Sequence, residues 1–230
     1  MNSVSEVRKD GLWFRLSVTT ADEMTSTITP GKRFAVLLAA ASLLVGLAAC
    51  DSAPKTPAFQ SVDITGSNFG SNFRLTDHTG KPRTLADFRG KVVVLFFGYT
   101  NCPDVCPTTL SDLAAAMKKL GKDAERVQVL FVTLDPERDT PALLSMYVPS
   151  FNPSFLGLYG DLEETTRVAK ELKVFYEKRP GNAPNNYTMD HFAGSYIFDS
   201  AGRLRLFVSY GQSADVFAHD IKALLNGSTS

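Results

Sequence analysis

Cysteine occurs only three times in 230 residues, at Cys50, Cys102 and Cys106. A secreted scaffold stapled by disulfides carries more cysteines in fewer residues, so that class is excluded. Excess charge of either sign is also missing. The 24 basic residues face 24 acidic ones, which argues against nucleic acid as a partner and against broad electrostatic adhesion to membranes. No internal repeat and no low-complexity tract interrupts the chain. The apolar run from Phe34 to Gly46 has 13 residues, short of the ~20 that a spanning helix needs.

That short run has another reading. Gly31-Lys32-Arg33 supplies positive charge before it and Leu47-Ala48-Ala49-Cys50 closes it, the three-part layout of a secretory signal. Leu-Ala-Ala-Cys resembles a bacterial lipobox, in which Cys50 carries lipid after cleavage just before it. An ordinary signal cut at a nearby Ala-x-Ala, or an uncleaved anchor, is the alternative. Residues 1–30 lack the look of an export n-region, whereas Met24 would give a conventional one, so Met24 is an alternative start. Asp51 resembles the residue that retains bacterial lipoproteins at the inner membrane. The leader (1–49) holds five of the basic and four of the acidic residues, leaving 19 against 20 in the remaining 181. That length suffices for one domain with a real core. Residues 50–60, with Pro54 and Pro57, read as a tether to a domain over 61–230.

Cys102 and Cys106 lie in the run Gly98-Tyr99-Thr100-Asn101-Cys102-Pro103-Asp104-Val105-Cys106-Pro107. Thiols four apart stand one helical turn from each other and on one side of a helix. That is near enough to close a disulfide or to grip one soft metal ion. Lys91 to Phe97 before them reads as a buried strand and the stretch after them as a helix, the junction at which α/β folds place their chemistry. Two chance core cysteines are the bland alternative, and the prolines and the junction argue against it. Cys106 is expected at the helix start, where the macrodipole and unpaired N–H groups lower a thiol's pKa. Pro103 and Pro107 stiffen the loop and the helix start, and Asp104 reads as a solvated turn former.

Around this junction the pattern predicts a β-hairpin leading in, with Phe73-Arg74-Leu75 and a turn at Asp77 to Gly80. A helix follows from about Pro107 to Leu120, with Leu110, Leu113, Met117 and Leu120 on one face and Gly121 as its stop. Arg126 to Leu134 is a second strand, so 91–134 forms a βαβ unit. A short helix starts after Thr140 with Pro141 in its first position, and Phe155 to Leu158 forms a short strand. Asp161 to Leu172 is a helix with Leu162, Thr165, Ala169 and Leu172 inward. Lys173 to Lys178 is a strand and Arg179 to Asn186 a loop. Phe192–Phe198 and Arg203–Tyr210 make a hairpin, and Ser213 to Leu225 closes the chain as a helix with Val216, Phe217, Ile221 and Leu224 inward. That order is of an α/β, thioredoxin-like fold, a central mixed sheet flanked by helices and preceded by an N-terminal β-hairpin.

Cys102-Pro103-Asp104-Val105-Cys106-Pro107, Asp135-Pro136-Glu137-Arg138-Asp139 and Asp190-His191-Phe192, in this order, resemble the Sco/SenC family of copper chaperones over roughly residues 60–226. The resemblance implies a thioredoxin-like, membrane-tethered protein that delivers copper to the CuA centre of cytochrome c oxidase. It further implies that Cys102, Cys106 and His191 are the copper ligands and that the two thiols are a redox-active pair. The expected partners are the oxidase subunit carrying CuA, other periplasmic copper or thiol-disulfide proteins, and the membrane through a lipid on Cys50. The protein would face the periplasm or extracytoplasmic side. A lipoprotein leader departs from the transmembrane anchor of many relatives, which changes the tether and not the site.

The residue chemistry agrees. Thiolates are soft donors that suit Cu(I), and an added imidazole gives a mixed set that also tolerates Cu(II). A structural zinc site wants four protein ligands, and no fourth is evident. His78, in an early turn, and His219, in the last helix, read as ordinary histidines. His191 on its own residues reads equally as a ligand or as a satisfied polar group. Asp135 is expected near the dithiol, as a partner of His191, part of an interaction surface, or a strand-end turn residue. A thiol-disulfide oxidoreductase that reduces the acceptor's cysteines is the competing function. General reductases of this fold carry Cys-x-x-Cys, and the extra residue here widens the bite toward a metal. A peroxiredoxin-like peroxidase wants threonine three before its cysteine, where this chain has Tyr99.

Overall fold

The structure, a computed structural model, describes residues 8–9, 12–13, 59–70, 73–182 and 186–227. Cys50 and most of the expected leader and tether lie outside the described residues. Within the expected leader, Arg8–Lys9 forms a short antiparallel ladder with Leu12–Trp13.

The described residues between 59 and 227 carry ten strands, β1 (Val62–Asp63), β2 (Arg74–Asp77), β3 (Pro82–Thr84), β4 (Val92–Gly98), β5 (Val127–Thr133), β6 (Leu156–Tyr159), β7 (Tyr176–Pro180), β8 (Tyr187–His191), β9 (Gly194–Phe198) and β10 (Leu204–Ser209). Four α-helices accompany them, α1 (Val105–Leu120), α2 (Pro141–Phe151), α3 (Leu162–Glu171) and α4 (Ala214–Gly227). Eight strands form one mixed sheet in the order β1-β10-β9-β4-β5-β6-β2-β3. β4, β5 and β6 run parallel, while β9, β10 and the β2–β3 hairpin add antiparallel edges. This is the mixed, helix-flanked sheet of a thioredoxin-like fold, with the expected hairpin at one edge.

The centre is apolar on both faces because β4 is buried at every residue. Strand residues alternate faces. Val92, Val94 and Phe96 point to one core with Leu110, Leu144 and Ile221 from α1, α2 and α4. Val93, Leu95 and Phe97 point to the other with Val168 and Ala169 from α3. Full burial of each such side chain contributes roughly 1.5–3 kcal/mol, so a continuous run of them dictates the central strand.

Helix ends follow local chemistry. Thr140 caps α2, its hydroxyl accepting from the Leu143 N–H, with Pro141 at the first position. Asp161 and Glu164 cap α3 reciprocally. α1 stops at Gly121, whose φ of 58° lies in the left-handed region.

Several boundaries differ from expectation. α1 begins at Val105 instead of Pro107, which places Cys106 inside its first turn and leaves Cys102 ahead of it. Leu162 is 56% exposed, because the inward stripe of α3 runs through Thr165, Val168 and Ala169 on to Leu172. Val216 is only half-buried, while Ala214 and Leu225 are buried alongside Phe217, Ile221 and Leu224. The expected strand at 173–178 sits at β7, since Val174 still closes the end of α3 by bonding the Ala169 carbonyl. The expected loop at 179–186 is shortened by β7 and followed by β8, a strand that the sequence pattern missed.

Candidate metal centre

The parallel strands β4 and β5 both end at the site. Gly98 closes β4 and hands its carbonyl to the Leu134 N–H. The chain then turns through Tyr99 and Thr100 to Cys102, and α1 brings Cys106 back over the strand end. A Cβ at Gly98 would stand 2.8 Å from the Cys106 sulfur and 2.8 Å from Phe131. The missing side chain is what lets the thiol approach the sheet. Cys106 is buried, whereas Cys102 is partly exposed, and both are free thiols.

His191 arrives from β8. Its Nε2 lies 3.7 Å from the Cys106 sulfur, and its Nδ1 lies 3.0 Å from the Phe192 carbonyl. A carbonyl only accepts, so Nδ1 donates to it, and Nε2 is the ring nitrogen left facing the thiols and available to a metal. Among the described residues one cluster brings at least three cysteine, histidine or carboxylate donors together. It is Cys102, Cys106 and His191, with ligand atoms all within 4.8 Å of one another. His78 and His219 are engaged elsewhere. His78 accepts from the Gly157 N–H at 3.0 Å, and His219 Nδ1 meets Asp220 at 2.9 Å.

The two thiols are electrostatically unequal, and in the opposite sense to expectation. A hydrogen bond from Cys106, then contacts from His191 and the backbone N–H groups of Asp104 and Cys106, hold the Cys102 thiol down at about 3 against its burial. The same hydrogen bond, followed by burial, pushes Cys106 well above the ordinary range. The helix start does favour a thiolate, but its N–H groups serve the residue before the helix. Cys106 faces inward on the stripe of Leu110, Leu113, Met117 and Leu120, where losing a proton is hardest.

The surroundings include side chains to which the sequence assigned no role. Asp139, buried, accepts from the Thr100 N–H at 3.0 Å and from the Thr100 and Thr133 hydroxyls at 2.5 and 2.6 Å. It thereby ties the loop before Cys102 to the end of β5, and burial raises its pKa. Tyr99 meets the His191 ring edge-on with centroids 6.0 Å apart. The hydroxyl of Tyr147 is buried without a partner among the described residues, and burial, then the charge of the thiols, pushes its pKa up. Asp135 is buried near the site, but His191 is not its partner. It accepts from the Tyr187 hydroxyl at 2.8 Å and pairs with Arg138. Asp139 and Arg138 stood in a motif already noted, yet only the fold reveals which loop each reaches.

The model describing the SCO1/SenC family matches residues 62–226. The mitochondrial SCO2 homolog of Mus musculus is 37% identical over 153 residues, 66% of this chain and 60% of that protein. The chain thus spans about half to three-fifths of the length of the first curated relatives it matches. Copper-bound ScoI from Bradyrhizobium japonicum shares 41% identity at a TM-score of 0.64, over 68% of this chain and 99% of that one. A SCO1/SenC family lipoprotein from Bacillus anthracis shares 28% at a TM-score of 0.58, over 66% of this chain and 92% of that one. The family match runs from the first strand of the sheet almost to the end of the last helix, taking in the whole frame that carries the thiols and the histidine, and the chain belongs to the SCO1/SenC family.

Proposed function

We propose that this protein binds one copper ion through Cys102, Cys106 and His191 and delivers it to the CuA centre of cytochrome c oxidase during assembly. The observation that carries the reading is the convergence of two sulfurs and an imidazole, oriented through Nδ1 by the Phe192 carbonyl, with ligand atoms within 4.8 Å. Two thiolates suit Cu(I), and the imidazole adds the nitrogen donor that Cu(II) prefers. Copper is cargo here, so the site must release it. The groove beside it, lined by Tyr99, Cys102, Pro103, Asp104, Met189 and His191, leaves Cys102 accessible to an acceptor's ligands. Capture releases the Cys106 proton, so affinity rises with pH. Anaerobic titration of the reduced protein should give one tightly held Cu(I) per chain, lost when the thiols are oxidised. Equal binding by the oxidised protein would sink the assignment.

The inequality of the thiols supports a second reading, reduction of the acceptor's cysteines before loading. The Cys102 thiolate attacks the acceptor disulfide, forming a mixed disulfide and expelling one acceptor thiolate. Cys106 then gives up its proton and attacks the Cys102 sulfur. The acceptor leaves as a dithiol, two electrons richer, and this chain ends as a Cys102–Cys106 disulfide. The partly exposed, ionised sulfur is the right attacker and the buried, protonated one the right resolver. Incubation with an oxidised CuA-site peptide, followed by thiol counting on both partners, tests the exchange.

Location belongs to the same proposal. A lipid on Cys50 would hold the domain at the extracytoplasmic face of the cell membrane, on the surface that carries the oxidase. The apolar run ending in Leu-Ala-Ala-Cys supports it, as does the lipoprotein nature of the Bacillus anthracis relative. Among the described residues no helix is long and apolar enough to cross a membrane. Two acyl chains give stable anchoring, at about 0.8 kcal/mol per buried CH₂. Labelling with a radioactive fatty acid should mark the wild type and not Cys50→Ser; a mature N-terminus upstream of Cys50 would point to an uncleaved anchor.

A further inference from the structure

The hairpin that carries His191 stands apart from the main sheet. β7 and β8 pair only with each other, and most of their residues are exposed. The thiols are fixed to α1 and its preceding loop, so His191 stays in range only if the ribbon is held. Several of the contacts that hold it converge on one side chain, alongside the Tyr176–Thr166 hydroxyl bond and the burial of Met189 in the core. Arg138, in the turn after β5, donates from Nη1 to the Tyr187 carbonyl at 2.9 Å, and its guanidinium lies 3.5 Å from the centroid of the Tyr187 ring. Its Nε pairs with Asp135, whose other carboxylate oxygen accepts the Tyr187 hydroxyl at 2.8 Å. Backbone, ring and hydroxyl of one residue are all gripped.

Tyr187 and His191 share a face of β8, because alternate strand residues point the same way. Fixing the first therefore sets the reach of the second. The guanidinium also lies 5.8 Å from the ring of Tyr99, which abuts His191 edge-on. Its Nη2 is buried with no hydrogen-bond partner among the described residues, so stacking on desolvated rings is what engages that edge. Lysine cannot replace this fork-and-stack geometry. The neighbouring Lys178–Glu137 pair spans the same gap at 2.7 Å but is exposed, and such pairs contribute little.

We propose that Arg138 is a positioning residue of the metal centre, which clamps Tyr187 to hold His191 within reach of Cys102 and Cys106 and so sets the preference between copper oxidation states. The proposal rests on the copper reading above and adds to it a residue that touches no ligand.

The test uses Arg138→Met and Tyr187→Leu in the full chain, with two readouts. Amide hydrogen exchange of the metal-free protein should speed up in residues 187–192 in both variants and stay unchanged in β4 and β5. Chelator competition should show Cu(II) affinity falling at least about tenfold, as for other supports of metal ligands, with Cu(I) affinity near the wild-type value. The visible absorption of the Cu(II) form should change alongside. Unchanged hairpin exchange, or equal losses for both oxidation states, overturns the clamp. A wild type that binds neither oxidation state removes the copper reading and overturns both. A wild type that binds normally beside an unaltered Arg138→Met overturns the clamp alone.

Discussion

His191 Nε2 stands 3.7 Å from the sulfur of Cys106, although 85 residues of chain separate them. The two are held by different parts of the molecule. Cys106 is locked into α1 against the sheet, and His191 ends a ribbon that pairs only with its own partner strand. A centre built across such a seam can lose one donor without losing the others.

The first expectation follows from that seam. His191→Ala leaves two sulfurs, enough for linear Cu(I), but removes the nitrogen donor that Cu(II) prefers. Cu(II) affinity should fall by more than about tenfold and Cu(I) affinity by much less. Alanine at His78 or His219 should leave both unchanged, since neither belongs to the cluster. Competition with chelators of known affinity decides, and equal losses would make His191 a structural residue.

Much of this arrangement was legible in the sequence, for physical reasons. β4 and β5 are unbroken apolar runs, and only a buried central strand reads that way. The helices carry proline, threonine and aspartate signals at their starts, and the hairpins carry their turns. β8 was not legible, because Tyr187 to His191 is a ribbon exposed on one side that follows a stretch rich in proline, glycine and asparagine. The thiol order was also misjudged, although the information was present. Cys106 continues the stripe of Leu110, Leu113, Met117 and Leu120 at spacings of four and three, which marks it as a buried residue. Asp135 could be placed near the site from its strand end, but its pairing with Arg138 and Tyr187 depends on a hairpin that local pattern does not reveal.

Gly98→Ala should disturb the centre without touching a ligand. The added methyl would stand 2.8 Å from the Cys106 sulfur and from Phe131, so one of them must shift. Overpacking of this kind costs about 1–3 kcal/mol. Urea unfolding should reveal the loss of stability, and Cu(I) competition a weakened site. A variant as stable as the wild type with full Cu(I) affinity would mean that the thiol has room the packing does not suggest.

Away from the thiols and His191, Asp77 sets part of the acid stability. Burial alone pushes its carboxyl up, but hydrogen bonds from Thr79, Arg83 and Lys81 overcome that and hold it at about 2, against 3.8 ordinarily. The folded value lies below the unfolded one. The contribution is therefore fully present above pH 3.8 and is lost as pH falls through about 2. A shift of this size corresponds to about 2 kcal/mol. Asp77→Asn should lose that much at neutral pH, and its deficit relative to wild type should shrink steadily between pH 4 and pH 2, as urea midpoints would report. A deficit independent of pH would assign the cost to turn geometry instead of charge.

The last expectation separates the two sulfurs. Cys102 is held as a thiolate at about 3, first by the hydrogen bond from Cys106 and then by His191 and backbone N–H groups. Cys106 keeps its proton because it donates that bond and is buried. In the reduced, metal-free protein, iodoacetamide should therefore modify Cys102 alone, at a rate that stays flat as pH falls from 8 to about 5, where an ordinary thiol slows sharply. The flat rate should be modest in absolute terms, because nucleophilicity falls with thiol pKa. Cys106→Ala removes the donor, so the profile should bend upward at a higher pH, toward the behaviour of an ordinary cysteine. Mass spectrometry of the modified peptides identifies the sulfur, and the rate profile gives the titration. Preferential labelling of Cys106, or a wild-type midpoint near that of a free thiol, would overturn the assignment of Cys102 as the proposed attacker and Cys106 as the proposed resolver.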